Sequence, residues 1–393
     1  MLHVEKRKMG FIQKSKNCLF FLIITSLAFF LRYIVRDFIS YDMRKFLIPW
    51  YHSILNKGGL SALSDQVGDY GLLYQTIIAL FTYTDVNPVY LYKSLSICFD
   101  FFLALSISYF ITNNNFMSVI KINTVDGYIY NLSYAYVLLL PTVVMNSALW
   151  GQCDSIYSTF LLWSIWFLFK ERFNLSFFML GCAFAFKLQS ILIVPLFIFY
   201  YLCKKKYSLL NFLIAFFSFW LWGIIAYIYG RGLFDSFRIY FFQVGEYKRM
   251  WMNIPSFWIL GGEDYYNYYL FIFAIFLTFV ILGVGLHILL SGRKQLNSYE
   301  DIIGTAVFVE WVCMLFLPAM HERYTYVLDI MLLILAFLDR KYITYAFISI
   351  SISTLTYNHI LFSGKAINSW YMLIYLFSWL RYSYVFFKFN TVH

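Results

Sequence analysis

Along this chain, apolar runs of roughly 18 or more nearly uncharged residues recur from position 18 onwards, separated by short polar turns. Each run is apolar on every side. Membrane barrels instead alternate apolar and polar positions in segments of about ten residues, so the pattern predicts spanning helices. The first helix is expected over 18–35, followed by a long polar and amphipathic stretch from 36 to about 88. Within that stretch, 71–83 is apolar but short for a span and is read as a helix lying on or dipping into the outer face. Further helices are expected over 94–111, 127–146, 156–169, 209–229, a run ending at Arg293 and Lys294, 303–317, a run ending at Asp339, and two final crossings that finish near Lys388. The stretch interrupted by Lys187 and Gln189 reads as two short helices meeting at the outer face. Threaded in order, the chain makes about twelve crossings as one all-α polytopic domain over 1–393, with both termini cytoplasmic.

Composition agrees with that solvent. Hydrophobic residues make up 62% of the 393 positions and charged residues 13%, against about 25% charged in soluble domains. Such a chain lacks the polar groups to cover a surface in water, so it belongs in a lipid bilayer. The net charge of +10 would suggest nucleic acid in a soluble protein. Here Lys170–Arg172, Lys204–Lys206, Arg293–Lys294 and Arg340–Lys341 sit in short turns between apolar runs, where the positive-inside rule accounts for them without a nucleic-acid partner. The cysteines form no CxxC pair, and five of the six lie in apolar runs, which argues against a zinc or disulfide framework. The first apolar run follows Lys14 and Lys16, is long and lacks a small-residue cleavage site, so it reads as an uncleaved helix.

In this threading the unusual polar groups share the outer face. Asp37 and Asp42 open the first loop, Trp150, Gln152 and Asp154 occupy the WGQCD turn, and Lys187 and Gln189 lie in FKLQS. A second long loop supplies Tyr247, Lys248, Arg249 and Asn253, and the segment MHERY supplies His321, Glu322, Arg323 and Tyr324. Ionisable groups at membrane depth are costly and tend to face a polar cavity, and several on one side suggest catalysis or transport. Each also has a plainer reading. Asp42 pairs with Arg44 or Lys45, Asp154 caps the helix beginning near Ser155, Lys187 snorkels outward, and His321-Glu322-Arg323 is a solvated helix start with local ion pairs. Asp100, inside an apolar run, either pairs with another helix or lines the cavity.

The segments YDMRKFLIPWYHSILNKGG, GDYGLLYQTIIAL, LPTVVMNSALWGQCDSIYSTFLL, FAFKLQSILIVPL and LPAMHERYTYVLDI resemble the GT-C superfamily of polytopic membrane glycosyltransferases. Within it they are similar to bacterial relatives of the mannosyltransferases that build glycolipid anchors. The similarity covers about residues 37 to 330, and the family's usual proline after the DY of GDYGLLY is absent. The resemblance implies a GT-C-like fold with amphipathic helices in the first outer loop. It also implies transfer, usually with inversion, of a sugar from a polyprenyl-phosphate donor to a cell-envelope glycan or glycolipid on the non-cytoplasmic face. An acidic residue of the first outer loop is implied as essential: Asp42 by position, with Asp37 the alternative. A carboxylate there suits a general base, with Asp154 as a second carboxylate. Arg323, His321 and Lys187, and more weakly Lys248 and Arg249, suit the leaving phosphate. Trp150, Gln152, Gln189, Glu322, Tyr324 and Asn253 are the remaining expected cavity residues. Two carboxylates permit a divalent cation such as Mg or Mn without demanding one.

Three rival readings share these features. A lipid-linked sugar flippase or transporter would favour broken helices and internal symmetry; the interruption at Lys187 fits it, while the long outer loops and missing repeat do not. A surface-polysaccharide polymerase would use loop arginines such as Arg231, Arg238 and Arg249. A structural scaffold leaves the outer carboxylates unexplained.

Overall fold

The computed structural model describes residues 2–114, 125–246, 248–262, 265–292, 294–364 and 367–388, with side-chain detail from residue 13 onwards. The loop containing Lys121, and also Tyr247, Arg293 and Lys365, lie outside the described residues. The described chain is helical and holds no strand, only an isolated bridge between Met252 and His321. Seventeen α-helices follow in order: α1 (Leu2–Ile34), α2 (Ile48–Asn56), α3 (Leu72–Phe81), α4 (Pro88–Thr112), α5 (Val125–Leu139), α6 (Pro141–Val144), α7 (Asp154–Phe169), α8 (Phe173–Phe186), α9 (Val194–Lys204), α10 (Asn211–Leu221), α11 (Ile224–Ile228), α12 (Asp235–Glu246), α13 (Tyr268–Leu290), α14 (Tyr299–Phe316), α15 (Thr325–Leu338), α16 (Ile343–Phe362) and α17 (Ser369–Phe387).

Among the described residues, three segments are long and apolar enough to cross a bilayer: Gln13–Ile34 of α1, α4 and α13. A fourth candidate is bent by 51° where α5 meets Pro141, so the run expected as one helix over 127–146 is a broken one. The cause is local. Pro141 has no N–H to donate and excludes helical geometry from the residue before it, and Leu140 is extended at φ −60°, ψ 125°. The expected helix over 209–229 is likewise divided, into α10 and α11, at Trp222 and Gly223. α3 has ten residues, too few to span, and packs against α2, α8 and the 3₁₀ turn Gly59–Ser64.

Helices α1 and α13 keep most of their surface outward, whereas every residue from Tyr299 to Phe316 except Tyr299's neighbours Glu300 and Asp301 is buried. α14 and α15 pack against each other and against α7, with α9, α13 and α17 on α14 and α16 on α15, while α8 packs between α7 and α10. The basic turns gather at one end. Lys170 donates to the Asn113 carbonyl at 3.3 Å, Lys206 pairs with Glu171, Lys204 with Asn297, and Lys341 with Glu300 at 3.0 Å. Asp100 is a helix-to-helix pair: its Oδ2 accepts from Arg32 Nε (3.0 Å), Arg32 Nη2 (2.9 Å) and Ser147 Oγ (2.5 Å). This buried latch ties α1 and α4 to the π-helical turn Met145–Trp150.

Candidate functional site

At the opposite end, where α7 begins and α8, α14 and α16 end, the chain encloses a cavity of about 1450 Å³. Its walls come from the turn at 41–50, the loop 64–71, the break at 186–192, α12, the loop 248–253, the start of α13 and residues 317–324. Its lining is mixed: Phe271 and Ile275 of α13 and Leu188, Ile191 and Leu192 are apolar, and many of the other lining residues are charged or polar.

Asp42 stands just before a π-helical turn, Met43–Leu47. Ser40 sets its position by accepting from the Met43 N–H (3.2 Å) while donating to the Trp150 carbonyl (3.0 Å). Asp42 Oδ2 accepts from Trp150 Nε1 at 2.9 Å and Gln152 Nε2 at 3.0 Å, and lies 3.6 Å from Arg323 Nη1. Its partners are therefore distant in sequence, in place of the neighbouring Arg44 or Lys45. Trp150 and Gln152 reach it because Gly151 ends the preceding turn at φ +73°, a left-handed conformation that glycine takes without strain. The Arg323 guanidinium sits 5.3 Å from the centre of the Trp150 ring, whose edge meets Tyr357.

Arg323 belongs to a 3₁₀ turn, Glu322–Tyr324, that precedes α15. Burial works against its charge, but the carboxylates of Asp42 and Glu322 hold its pKa well above the ordinary arginine value. Glu322 is also buried, which pushes its pKa up; His321, by hydrogen bond and charge, and Arg323 outweigh this and hold it below the usual value. The Met252–His321 bridge and the Ala319 N–H to Met250 carbonyl bond (3.1 Å) dock the 250–253 loop against this segment. Ala319 itself takes φ +57°, a strained setting for a residue with a Cβ.

Asp154 is placed differently from a helix cap. Cys153 is the residue before α7, and Asp154, the first residue of the helix, is fully buried with its side chain turned to Lys187 and Asn146 (2.6 Å). Lys187 pairs inward with it and does not snorkel: the residue is 6% exposed. Lys187 takes an extended backbone at φ −155°, ψ 132°, which ends α8 and starts the 3₁₀ turn Leu188–Ile193. Gln189 in that turn donates to the Tyr324 hydroxyl at 2.5 Å.

Asp42, Gln152, Lys187, Gln189, Lys248, Arg249, Asn253, His321, Glu322, Arg323 and Tyr324 thus line one cavity, with Trp150 and Asp154 directly behind the wall. Asp37 is apart from them. It is 66% exposed, accepts from Tyr90 at 2.6 Å and lies 3.6 Å from Arg36. The Tyr90 hydrogen bond, with the Arg36 charge, holds its carboxyl below the usual range. Sequence reasoning missed Tyr70 and Trp50, whose rings meet edge-to-face at 5.4 Å in the cavity wall. Both lie in segments that carry the family resemblance, but the sequence does not mark either ring as a cavity residue. Asp154 is taken up by Asn146 and Lys187, the contacts of Asp42 fall on Oδ2, and among the described residues no group of three His, Cys, Asp or Glu side chains is placed to hold an ion. No protein-family model matches the chain, and no curated protein is similar to it.

Proposed function

We propose that this chain is a membrane glycosyltransferase of GT-C type, moving a monosaccharide from a polyprenyl-phosphate donor to a cell-envelope glycan or glycolipid. The observation that carries this reading is the mixed lining of one cavity, which holds a carboxylate and a guanidinium at 3.6 Å together with apolar residues of α13 and the 188–192 turn. A lipid-linked sugar combines the same two chemistries. Its prenyl tail suits Phe271, Ile275, Leu188, Ile191 and Leu192, and its phosphate and sugar suit the charged and polar residues.

In the proposed step, Asp42 accepts the proton of an acceptor hydroxyl as that oxygen bonds to the sugar's anomeric carbon. The bond from that carbon to the phosphate oxygen breaks, and polyprenyl phosphate leaves with the electron pair. Arg323 stays cationic and steadies the charge on the phosphate, with His321, Lys248 and Arg249 further along the same wall. Lys187 is left to neutralise Asp154. Attack opposite the leaving group inverts the anomeric centre. No step here draws on a metal. The reading extends to about twelve crossings, the basic-turn end in the cytoplasm and the cavity outside.

The test is a transfer assay on protein in lipid, with a panel of radiolabelled polyprenyl-phosphate sugars and an envelope extract as acceptor. Wild type labels a polymer or glycolipid with one donor; Asp42→Asn loses about 100-fold or more of that rate, the scale of a general base, while unfolding at the wild-type temperature. A flippase reading also has support, because α5–α6 and α8–α9 are broken helices and the second break lines the cavity. Movement of labelled lipid across vesicles without sugar transfer would replace the enzyme reading with that one.

A further inference from the structure

We infer that Tyr70 is a positioning residue that acts on Asp42 through Gln152. The inference rests on the glycosyltransferase reading and adds a residue to its machinery. The Tyr70 hydroxyl donates to Gln152 Oε1 at 3.0 Å, and Gln152 Nε2 donates to Asp42 Oδ2 at 3.0 Å. A primary amide has two dissimilar ends. Turned over, Gln152 would aim its carbonyl oxygen at the Asp42 carboxylate and its NH₂ at the Tyr70 oxygen. The Asp42 carboxylate, which only accepts, disfavours that arrangement, and the Tyr70 hydroxyl, by donating to Oε1, reinforces the one orientation in which Gln152 supports the carboxylate.

The consequence is directional. The contacts from Trp150, Gln152 and Arg323 all fall on Oδ2, which leaves Oδ1 as the oxygen to take a proton from a substrate in the cavity. Were Gln152 to turn over, one of those three contacts would be lost, the carboxylate could rotate, and the proton acceptor would no longer have a fixed place. Reaction geometry tolerates little of that, since displacements near 1 Å cost about 100-fold in rate.

Tyr70 is held for this task from two sides. Its ring meets Trp50 edge-on at 5.4 Å and Tyr74 at 4.5 Å, and its backbone carbonyl accepts from Gln66 Nε2 at 3.0 Å. Gln66 in turn accepts from Arg231, so the loop before α3 is pinned to the segment leading into α12. The low-dielectric surroundings push the Tyr70 hydroxyl well above the ordinary tyrosine range, with nearby Cys153 adding to the effect, so it stays protonated as a donor.

The experiment is a double-mutant cycle on kcat with Tyr70→Phe, Gln152→Ala and the pair, in lipid, each rate normalised to the folded fraction. Tyr70→Phe removes one hydroxyl and keeps the ring, so it lowers kcat roughly five- to tenfold, and Gln152→Ala lowers it roughly 10- to 100-fold. The pair matches Gln152→Ala alone, because Tyr70 has nothing left to orient, and the donor KM stays near wild type throughout. Multiplying effects, or a Tyr70→Phe change confined to KM or to the unfolding temperature, would overturn the inference and leave the enzyme reading standing. An inactive wild type would overturn both.

Discussion

Replacing Arg32 by Met breaks a buried ion pair whose every feature is visible. The Arg32 and Asp100 side chains are 1% and 0% exposed. Arg32 uses Nε and Nη2 on Asp100 and Nη1 on the carbonyls of Ala28 (3.2 Å) and Leu138 (3.1 Å). Without the guanidinium, Asp100 keeps the Ser147 hydroxyl, at 2.5 Å on Oδ2, and the nearby Ser155 side chain, but no cation. Stranding one partner of such a pair costs about 3–5 kcal/mol, whereas replacing both by apolar groups is close to neutral or stabilising. For a chain of this size the single substitution lowers Tm by roughly 4–6 °C. Asp100→Leu costs a similar amount by stranding Arg32. Arg32→Met with Asp100→Leu recovers most of the loss, since Ser147 retains the Val143 carbonyl at 3.0 Å. The assay is thermal unfolding of all four proteins in the same lipid nanodiscs. A Tm for Arg32→Met within about 1 °C of wild type would refute the reasoning, as would a double variant whose loss equals the sum of the singles. Ser147 sits three residues before Trp150, so a stable double variant also reveals whether the latch sets the site. Its transfer rate falls if the turn Met145–Trp150 drifts.

Two other perturbations test the cavity wall. Gly68 has φ +74°, and a Cβ there would come within 2.3–2.8 Å of the Trp50 indole, so Gly68→Ala is expected to cost about 1–3 kcal/mol of stability and to raise the donor KM as Trp50 is displaced; equilibrium unfolding and steady-state kinetics read the two effects separately. Glu322 has a folded pKa below its ordinary 4.5, so its stabilising contribution is complete above that value and is lost as pH falls through the lower folded value. Unfolding measured between pH 6 and about pH 3 therefore shows a loss of stability toward acid that is smaller in Glu322→Gln; equal slopes for the two proteins would refute the assignment.

Several site residues were legible because charge between apolar runs is conspicuous. Asp42, WGQCD, Lys187 and MHERY each interrupt a pattern that lipid would otherwise leave uncharged, and the fold brings them to one cavity. Their roles were not legible to the same degree. Lys187 and Asp154 each read plausibly as an isolated local feature, and only their contact shows that they neutralise each other. Tyr70 stood in the GDYGLLY segment, but nothing there signalled its contact with Gln152.

By itself, then, the sequence determined the solvent and the kind of element. Runs that are apolar on every side exclude water as their surroundings, and backbone groups in lipid must find partners within their own segment, so helices follow. It also marked the break at Lys187, where a stranded charge works against a continuous helix, whereas the break at Pro141 fell inside a run read as one helix over 127–146. Only the tertiary structure decided which helices meet and how each polar group is satisfied. Arg32 and Asp100 are 68 positions apart, Asp42 and Trp150 are 108, and Asp42 and Gln152 are 110. A helix apolar all round has no polar stripe to say which side faces a neighbour. Its packing is settled by shape and by a few buried hydrogen bonds, and both exist only once the chain has folded.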